Sequence, residues 1–117
     1  MSSQADAPPV SLLNDTGSAQ MLLVCEHASN FIPARFQNLQ LSDEILHSHV
    51  ALDIGANDLA QTISRLLDAP LISTSVSRLV YDCNRPFGAT GAIPEKSEVY
   101  QIPGNQNLSD FELRDRF

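Results

Sequence analysis

The apolar residues of this chain fall into a series of short runs, one long periodic stretch and a polar opening. Residues 1–20 are rich in Ser, Ala, Pro and Asp, a composition expected of a flexible N-terminal tail. The first apolar run is Met21-Leu-Leu-Val-Cys25. A short continuous run of this kind fits a strand buried on both faces, as in a parallel sheet. Glu26-His27-Ala28-Ser29-Asn30 follows at once, then Pro33. These polar residues therefore sit at the carboxyl end of the strand, where open α/β sheets bind ligands.

Ser42 before Asp43 and Glu44 predicts a helix start, with the hydroxyl as N-cap and the acids at the positive end of the dipole. Leu52, Ala56, Leu59, Ala60, Ile63, Leu66 and Leu67 then recur at helical spacing and form one stripe. Pro70 ends that helix, because it disfavours helical geometry at Ala69. Gly55 is costly inside a helix and marks a break or a close approach to the sheet. Residues 71–75 and 78–83 read as two further short strands. Residues 86–104 are rich in Pro and Gly and show no period, so a long loop is expected there, functional or mobile. Ser109-Asp110-Phe111-Glu112 is a capping box. Only five residues follow it, too few for a helix that holds itself together. The pattern predicts an α/β fold with a mostly parallel sheet and flanking helices. It divides the chain into a tail, residues 1–20, and residues 21–117, the N-terminal part of a truncated larger domain.

The totals narrow the function classes. At 117 residues and 43% hydrophobic, the chain has enough material for one domain with a modest core. Its formal charge of -7 disfavours nucleic acid and anionic membrane as partners, which demand clustered Lys and Arg. A small anionic substrate remains compatible, since one or two placed arginines bind a carboxylate. No apolar run is long enough to span a membrane and the start lacks a signal-peptide pattern, so a cytoplasmic location is expected. Cys25 and Cys83 form no CxxC or zinc-ribbon pattern, and free thiols are expected in a reducing compartment.

Three constellations offer chemistry. His27 follows the buried strand, and a neutral imidazole there suits a metal ligand, a general base or a purely structural role. Glu26 is a ligand, a supporting carboxylate or only a strand-end acid. His49 and Asp53 are four apart. On a helix they share a face, so the carboxylate either orients the imidazole or makes an exposed pair. His47 falls off that face and reads as surface. In Ser77-Arg-Leu-Val-Tyr-Asp-Cys-Asn-Arg-Pro86, two arginines flank a predicted strand. Arg85 offers a bidentate fork for a carboxylate, Asn84 a neutral hydrogen bond, and Asp82 a partner for Arg78 or Arg85. A structural Arg–Asp network is the competing reading.

Taken together, Leu22-Leu-Val-Cys-Glu-His-Ala-Ser-Asn30 with Pro33, His49-Val-Ala-Leu-Asp-Ile-Gly-Ala56, Ser77 to Pro86 and Ala92-Ile-Pro-Glu-Lys-Ser-Glu98 resemble the N-formylglutamate amidohydrolase family. The order and spacing fit from about Met21 to the last residue. The resemblance implies a zinc-dependent hydrolase with a zinc-exopeptidase-like fold that cleaves the amide of an N-acylated acidic amino acid. It implies His27 as a metal ligand. The ligand expected three residues later is usually Glu, where this chain has Asn30, so Asn30, Glu26 and Asp53 are the candidates for that place. It implies Asp82, Asn84 and Arg85 as the substrate-carboxylate site; from the residues themselves Arg78 is expected to join them, and His49 and Asp53 to support the metal. Family members are about twice this long, a size that fits one larger domain, so a further His ligand and the general base are expected beyond Phe117, and the isolated chain is expected to be inactive. The rival readings are an inactive remnant that binds an acidic ligand through Arg78 and Arg85, and a related acyl-amino-acid deacylase or carboxypeptidase-like enzyme.

Overall fold

A computed structural model describes residues 8–117; the first seven residues of the expected tail lie outside the described residues. Three strands, β1 (Val10–Leu13), β2 (Leu23–Cys25) and β3 (Leu71–Thr74), form a sheet in the order β1-β3-β2. β2 runs parallel to β3, with Val24 opposite Ile72, and β1 runs antiparallel to β3, with Leu12 opposite Ile72. The sheet is thus mixed, and the expected parallel pairing is seen at β2–β3. β1 lies within the segment expected to be a flexible tail. All four of its side chains are exposed, so it forms by filling the backbone edge of β3 rather than by burying an apolar face. Val10, Leu12 and Leu13 are apolar, but they stand in a segment whose Ser, Ala, Pro and Asp content reads as a tail. Asp68 ties down the chain after β1: its carboxylate accepts from Asn14 Nδ2 at 3.0 Å and from Ser18 Oγ at 2.7 Å.

The β2–β3 connection carries α1 (Asp43–Leu46) and α2 (Ala56–Leu67). Ser42 caps α1, with its hydroxyl accepting from the Ile45 N–H. Gly55 stands before α2 with φ 81°, in the left-handed region, so it is the break that separates Leu52 from the helix. α2 lies on one sheet face, where Cys25, Ala28 and Leu71 are buried with Leu23, Ala56 and Ala60 against them. Small residues make this contact. Leu59, Leu66 and Leu67, expected on the buried stripe, are exposed, because the apolar stripe is wider than the sheet beneath it. No helix among the described residues is long and apolar enough to cross a membrane.

A second core is built from connecting segments: Ile32, Leu39, Leu46, Val50, Leu79 and Ile102 are among its buried residues. Residues 78–83, predicted as a strand, form none: Arg78, Leu79, Val80 and Cys83 lie in turns, and Tyr81 and Asp82 are irregular. Buried Ser77 explains this. Its hydroxyl donates to Ala51 O at 2.7 Å and accepts from Leu79 N at 3.2 Å, and its carbonyl accepts from Val80 N at 3.0 Å. Local bonds thus capture the backbone groups that a ladder would need.

Residues 86–104 are more ordered than an aperiodic loop. They contain the hairpin of β4 (Lys96–Ser97) and β5 (Tyr100–Gln101), flanked by 3-10 turns at Thr90–Ala92 and Pro103–Asn105. The Asn105 amide pins them by donating to Leu79 O at 2.8 Å and Pro94 O at 2.7 Å. Gly104 lies so close to Leu39 that an added Cβ would stand 2.5 Å from Leu39 Cα. Gly104→Ala is therefore expected to destabilise by about 3 kcal/mol, the upper part of the overpacking range. Urea unfolding monitored by circular dichroism measures it, and an unchanged midpoint would show that the two backbones separate freely.

The capping box opens α3 (Asp110–Asp115) as expected, with Ser109 and Glu112 exchanging bonds. No residue of α3 is buried. It is nevertheless fixed, because the next residue, Arg116, is buried and Arg35 Nε meets Asp115 Oδ2 at 3.0 Å.

Candidate functional site

His27 lies just past β2, at the sheet end where ligand residues were expected. Thr74, the last residue of β3, secures that end. Its hydroxyl donates to Glu26 O at 2.7 Å and accepts from Ala28 N at 3.1 Å. The His27 carbonyl accepts from Asp53 N at 2.9 Å, which brings the loop before α2 against the histidine. The backbone alone therefore sets His27 and Asp53 side by side.

The imidazole stands between two carboxylates. Nε2 lies 2.8 Å from Asp82 Oδ1, and Nδ1 lies 3.3 Å from Asp53 Oδ2. The His27 and Asp82 side chains are 10% and 7% exposed, whereas Asp53 is 53% exposed. Burial pushes the Asp82 carboxyl up. The His27 hydrogen bond, the Asn84 N–H and the charges of His27 and Arg78 outweigh that and hold it below the usual carboxylate range. Asp82 is thus an ionised acceptor, and it places a proton on Nε2. In the neutral ring the Nδ1 lone pair then faces a second carboxylate. Acceptor against acceptor demands a cation between them, either a second ring proton or a metal ion. Two ligands each about 2.1 Å from a tetrahedral zinc lie about 3.4 Å apart, and the Nδ1–Oδ2 separation of 3.3 Å fits that spacing. The donor set, one imidazole and one carboxylate, suits zinc. Among the described residues no group of three His, Cys, Asp or Glu side chains is placed to hold a metal. His27 and Asp53 are two such donors side by side.

The arginines divide. Arg78 NH1 donates to Asp53 Oδ1 at 3.1 Å and so holds that carboxylate from the side away from His27. Arg85 Nε is 3.8 Å from Asp82 Oδ2, and its side chain is 57% exposed. Asn84 contributes its backbone, donating to Asp82 Oδ1 at 3.0 Å, and its side chain is exposed.

Of the remaining residues singled out in the sequence, Glu26 is exposed and its backbone carbonyl accepts the Thr74 bond noted above. Asn30 Nδ2 donates to Leu46 O at 2.7 Å and ties the strand-end loop to the end of α1. The helix expected over residues 49–53 is absent; residues 49–52 form turns and a bend and Asp53 is irregular, because α2 begins only after Gly55. His49 accordingly pairs with Glu98 at 2.8 Å, with both side chains exposed, and Asp53 faces His27 instead. His47 is on the surface as expected. Both cysteines are free. Burial, aided by the charges of Asp53 and Glu26 at Cys25 and of Glu26 and Asp82 at Cys83, pushes both thiols up, so neither offers a thiolate. A cavity of about 520 Å³ between α3 and the loop around Thr90 is lined by Tyr81, Ile93, Leu113 and Phe117. It contains none of these chemical groups.

The pairing of His27 with Asp53 and Asp82 joins positions far apart in the chain, and no periodicity reveals it. The only sequence signal was that all three lie in segments shared with one family. Comparison with known proteins makes that family explicit. The sequence model of the N-formylglutamate amidohydrolase family matches residues 19–116. The crystal structure of gene product Atu2144 from Agrobacterium tumefaciens superposes with a TM-score of 0.90 at 44% identity, over 94% of this chain and 44% of that one. The chain thus spans less than half the length of that solved relative. No curated protein matches it significantly.

Proposed function

This chain belongs to the N-formylglutamate amidohydrolase family, a family of hydrolases, and from that premise we propose that it carries the metal-anchoring and carboxylate-binding part of a metal-dependent amidohydrolase site. The substrate is the amide of an N-acyl acidic amino acid such as N-formylglutamate, in the cytoplasm, on a zinc-exopeptidase-like fold. The observation that carries this reading is the His27 imidazole, oriented by Asp82 on one nitrogen and offered beside Asp53 with the other.

His27 and Asp53 would hold the metal, zinc by the donor set. Asp82 keeps the His27 proton on Nε2, so that Nδ1 presents its lone pair. Such a carboxylate behind a histidine fixes the tautomer and raises the basicity of the ligand. Arg78 holds Asp53 in line. A metal in such a site polarises the acyl carbonyl and lowers the pKa of a bound water. Arg85, exposed and only loosely held by Asp82, receives the amino-acid carboxylate, with Asn84 beside it, and fixes the distance from that anchor to the scissile amide. The third ligand and the general base are not assigned among these residues. The alternative of a non-catalytic carboxylate binder that uses both arginines loses support, because Arg78 is committed to Asp53.

Binding of N-formyl-L-glutamate and of its α-amide, followed by NMR titration, tests the substrate class. Arg85→Ala is expected to weaken binding of the acid by about 1.5–3 kcal/mol, the worth of a charge-assisted hydrogen bond, and to leave the weaker α-amide unchanged. Arg85→Lys restores the loss only in part, since it lacks the planar fork. Equal affinity of wild type and Arg85→Ala for the acid would remove Arg85 from the site. The chain by itself is expected to deformylate no faster than buffer, and metal-dependent turnover lost in His27→Ala would show a whole active site within it.

A further inference from the structure

The last paired residues of the β2–β3 ladder are Cys25 and Ser73. Past them the main chain of β2 turns away, and a side chain takes over from the ladder. Thr74 Oγ1 donates to Glu26 O at 2.7 Å and accepts from Ala28 N at 3.1 Å. A hydroxyl suits both tasks, since it carries one proton and two lone pairs. One atom thus grips the main chain on both sides of His27. Glu26 O also accepts from Cys83 Sγ at 3.7 Å. The thiol is a weak donor, but it ties the same carbonyl to the turn that carries Asp82. On the other side of His27, Ala28 is buried in one cluster with Cys25 and Leu71.

Thr74 differs from the other partners of His27 in where it stands. Asp53 and Asp82 lie outside the strands. Thr74 ends β3, the central strand, which is paired with β1 on one side and β2 on the other. It therefore ties the turn to the part of the sheet that is held from both sides. We propose that Thr74 is a positioning residue of the site: its hydroxyl bridges Glu26 O and Ala28 N and so fixes the turn from which His27 reaches between Asp53 and Asp82. Metal–donor distances hold to about 0.2 Å, whereas an ordinary thermal displacement is about 0.5 Å per axis. A turn without its tie to the sheet would not keep Nδ1 at one distance from Asp53. The proposal deepens the metal-site reading above. It rests on that reading for metal affinity, and on the His27–Asp82 geometry alone for the rest.

Two measurements on variants of the full chain test it. Thr74→Val keeps the β-branched shape that strands favour and removes the hydroxyl. Thr74→Ser keeps the hydroxyl. Thr74→Cys offers a weaker donor and is the intermediate step, which still decides the order if the valine variant does not fold. Gly104→Ala strains the contact with Leu39 instead and controls for stability lost with the clamp intact. In cobalt titration Thr74→Val should bind about tenfold more weakly than wild type, the lower end of what supporting partners of metal ligands contribute. Thr74→Ser and Gly104→Ala should bind as wild type does, and Thr74→Cys should fall between. In the metal-free chain, proton NMR should show the His27 ring proton held by Asp82 as a slowly exchanging downfield resonance. Thr74→Val should lose it to solvent exchange, and Thr74→Ser and Gly104→Ala should keep it. A ring proton unchanged in Thr74→Val, or absent from wild type, would overturn the proposal. So would a Thr74→Ser that behaves as Thr74→Val does, a Gly104→Ala that loses both signals, or wild-type cobalt affinity in Thr74→Val. A wild type that binds no cobalt yet keeps a ring proton dependent on Thr74 would sink the metal reading and leave the clamp standing.

Discussion

Titration with Co²⁺ in place of zinc is expected to give one equivalent of binding to the chain, followed by the visible absorption of the cobalt, and His27→Ala should abolish it. The first reason is geometric. Nδ1 of His27 and Oδ2 of Asp53 are 3.3 Å apart, and removing either leaves a single donor. The second reason is the tautomer. With Asp82→Asn the ring no longer faces an obligate acceptor at Nε2, so the lone pair at Nδ1 is no longer guaranteed. Loss of such a supporting carboxylate costs about 10–100-fold in metal affinity, so Asp82→Asn should fall between wild type and His27→Ala. Asp53→Asn should lose more than Asp82→Asn, because it removes a donor and a charge together. Glu26→Gln and Asn30→Ala are the deciding arms. The sequence offered both as ligands. In the fold Glu26 is exposed and Asn30 is spent on Leu46 O, so both variants should bind cobalt as wild type does. Binding lost in Asn30→Ala but kept in Asp53→Asn would reverse the assignment.

Arg116→Ala is expected to produce the largest loss of stability in the molecule, about 3–5 kcal/mol. Arg116 is 8% exposed. NH1 donates to Asn105 Oδ1 at 2.8 Å and to Val80 O at 3.1 Å, and NH2 donates to Gly104 O at 3.0 Å. The guanidinium also lies 4.5 Å from the centre of the Phe36 ring. Burial pulls its pKa down, against the opposing charges of Asp115 and Glu112. Removing the side chain deprives three acceptors of a charged donor, at roughly 1.5–3 kcal/mol for each bond to a charged group. These losses overlap, which places the total near the lower end of their sum. For a chain of this size that is a large share of the net stability. Arg116→Lys should recover only part, because one ammonium cannot reach three divergent acceptors. Thermal melts of the three proteins measure the order; an Arg116→Ala melt within a degree or two of wild type would show that the segment is held by other means.

Legibility followed the physics of burial. β2, β3, α1 and the caps at Ser42 and Ser109 were readable because each leaves a local mark: an apolar run, or a hydroxyl followed by acids. β1 left only the short Val10-Ser-Leu-Leu13 run inside a segment rich in Ser, Ala, Pro and Asp, and its reason for existing is the edge of a strand far along the chain. Residues 78–83 were misread because Leu79-Val-Tyr81 is a short apolar run like that of a strand, while the deciding bonds come from Ser77, just before it. At the site, residue types suggested His27, Asp82 and Arg85, yet their partners are tertiary. Asp53 was paired with His49 on a helix that Gly55 prevents, and only the bond from Asp53 N to His27 O shows where that carboxylate goes.

The anchoring of Arg116 also orders events in time. Synthesis delivers the N-terminal segment first, and β1, β2 and β3 have all been made once Thr74 has emerged. The second core does not: Val80, Gly104 and Asn105 acquire their shared donor only when Arg116 arrives. Asp82, two residues after Val80, sits in the part that waits. His27 is therefore synthesised well before the carboxylate that fixes its proton can be locked, and a chain halted short of residue 116 would lack the three bonds that Arg116 donates to Val80, Gly104 and Asn105.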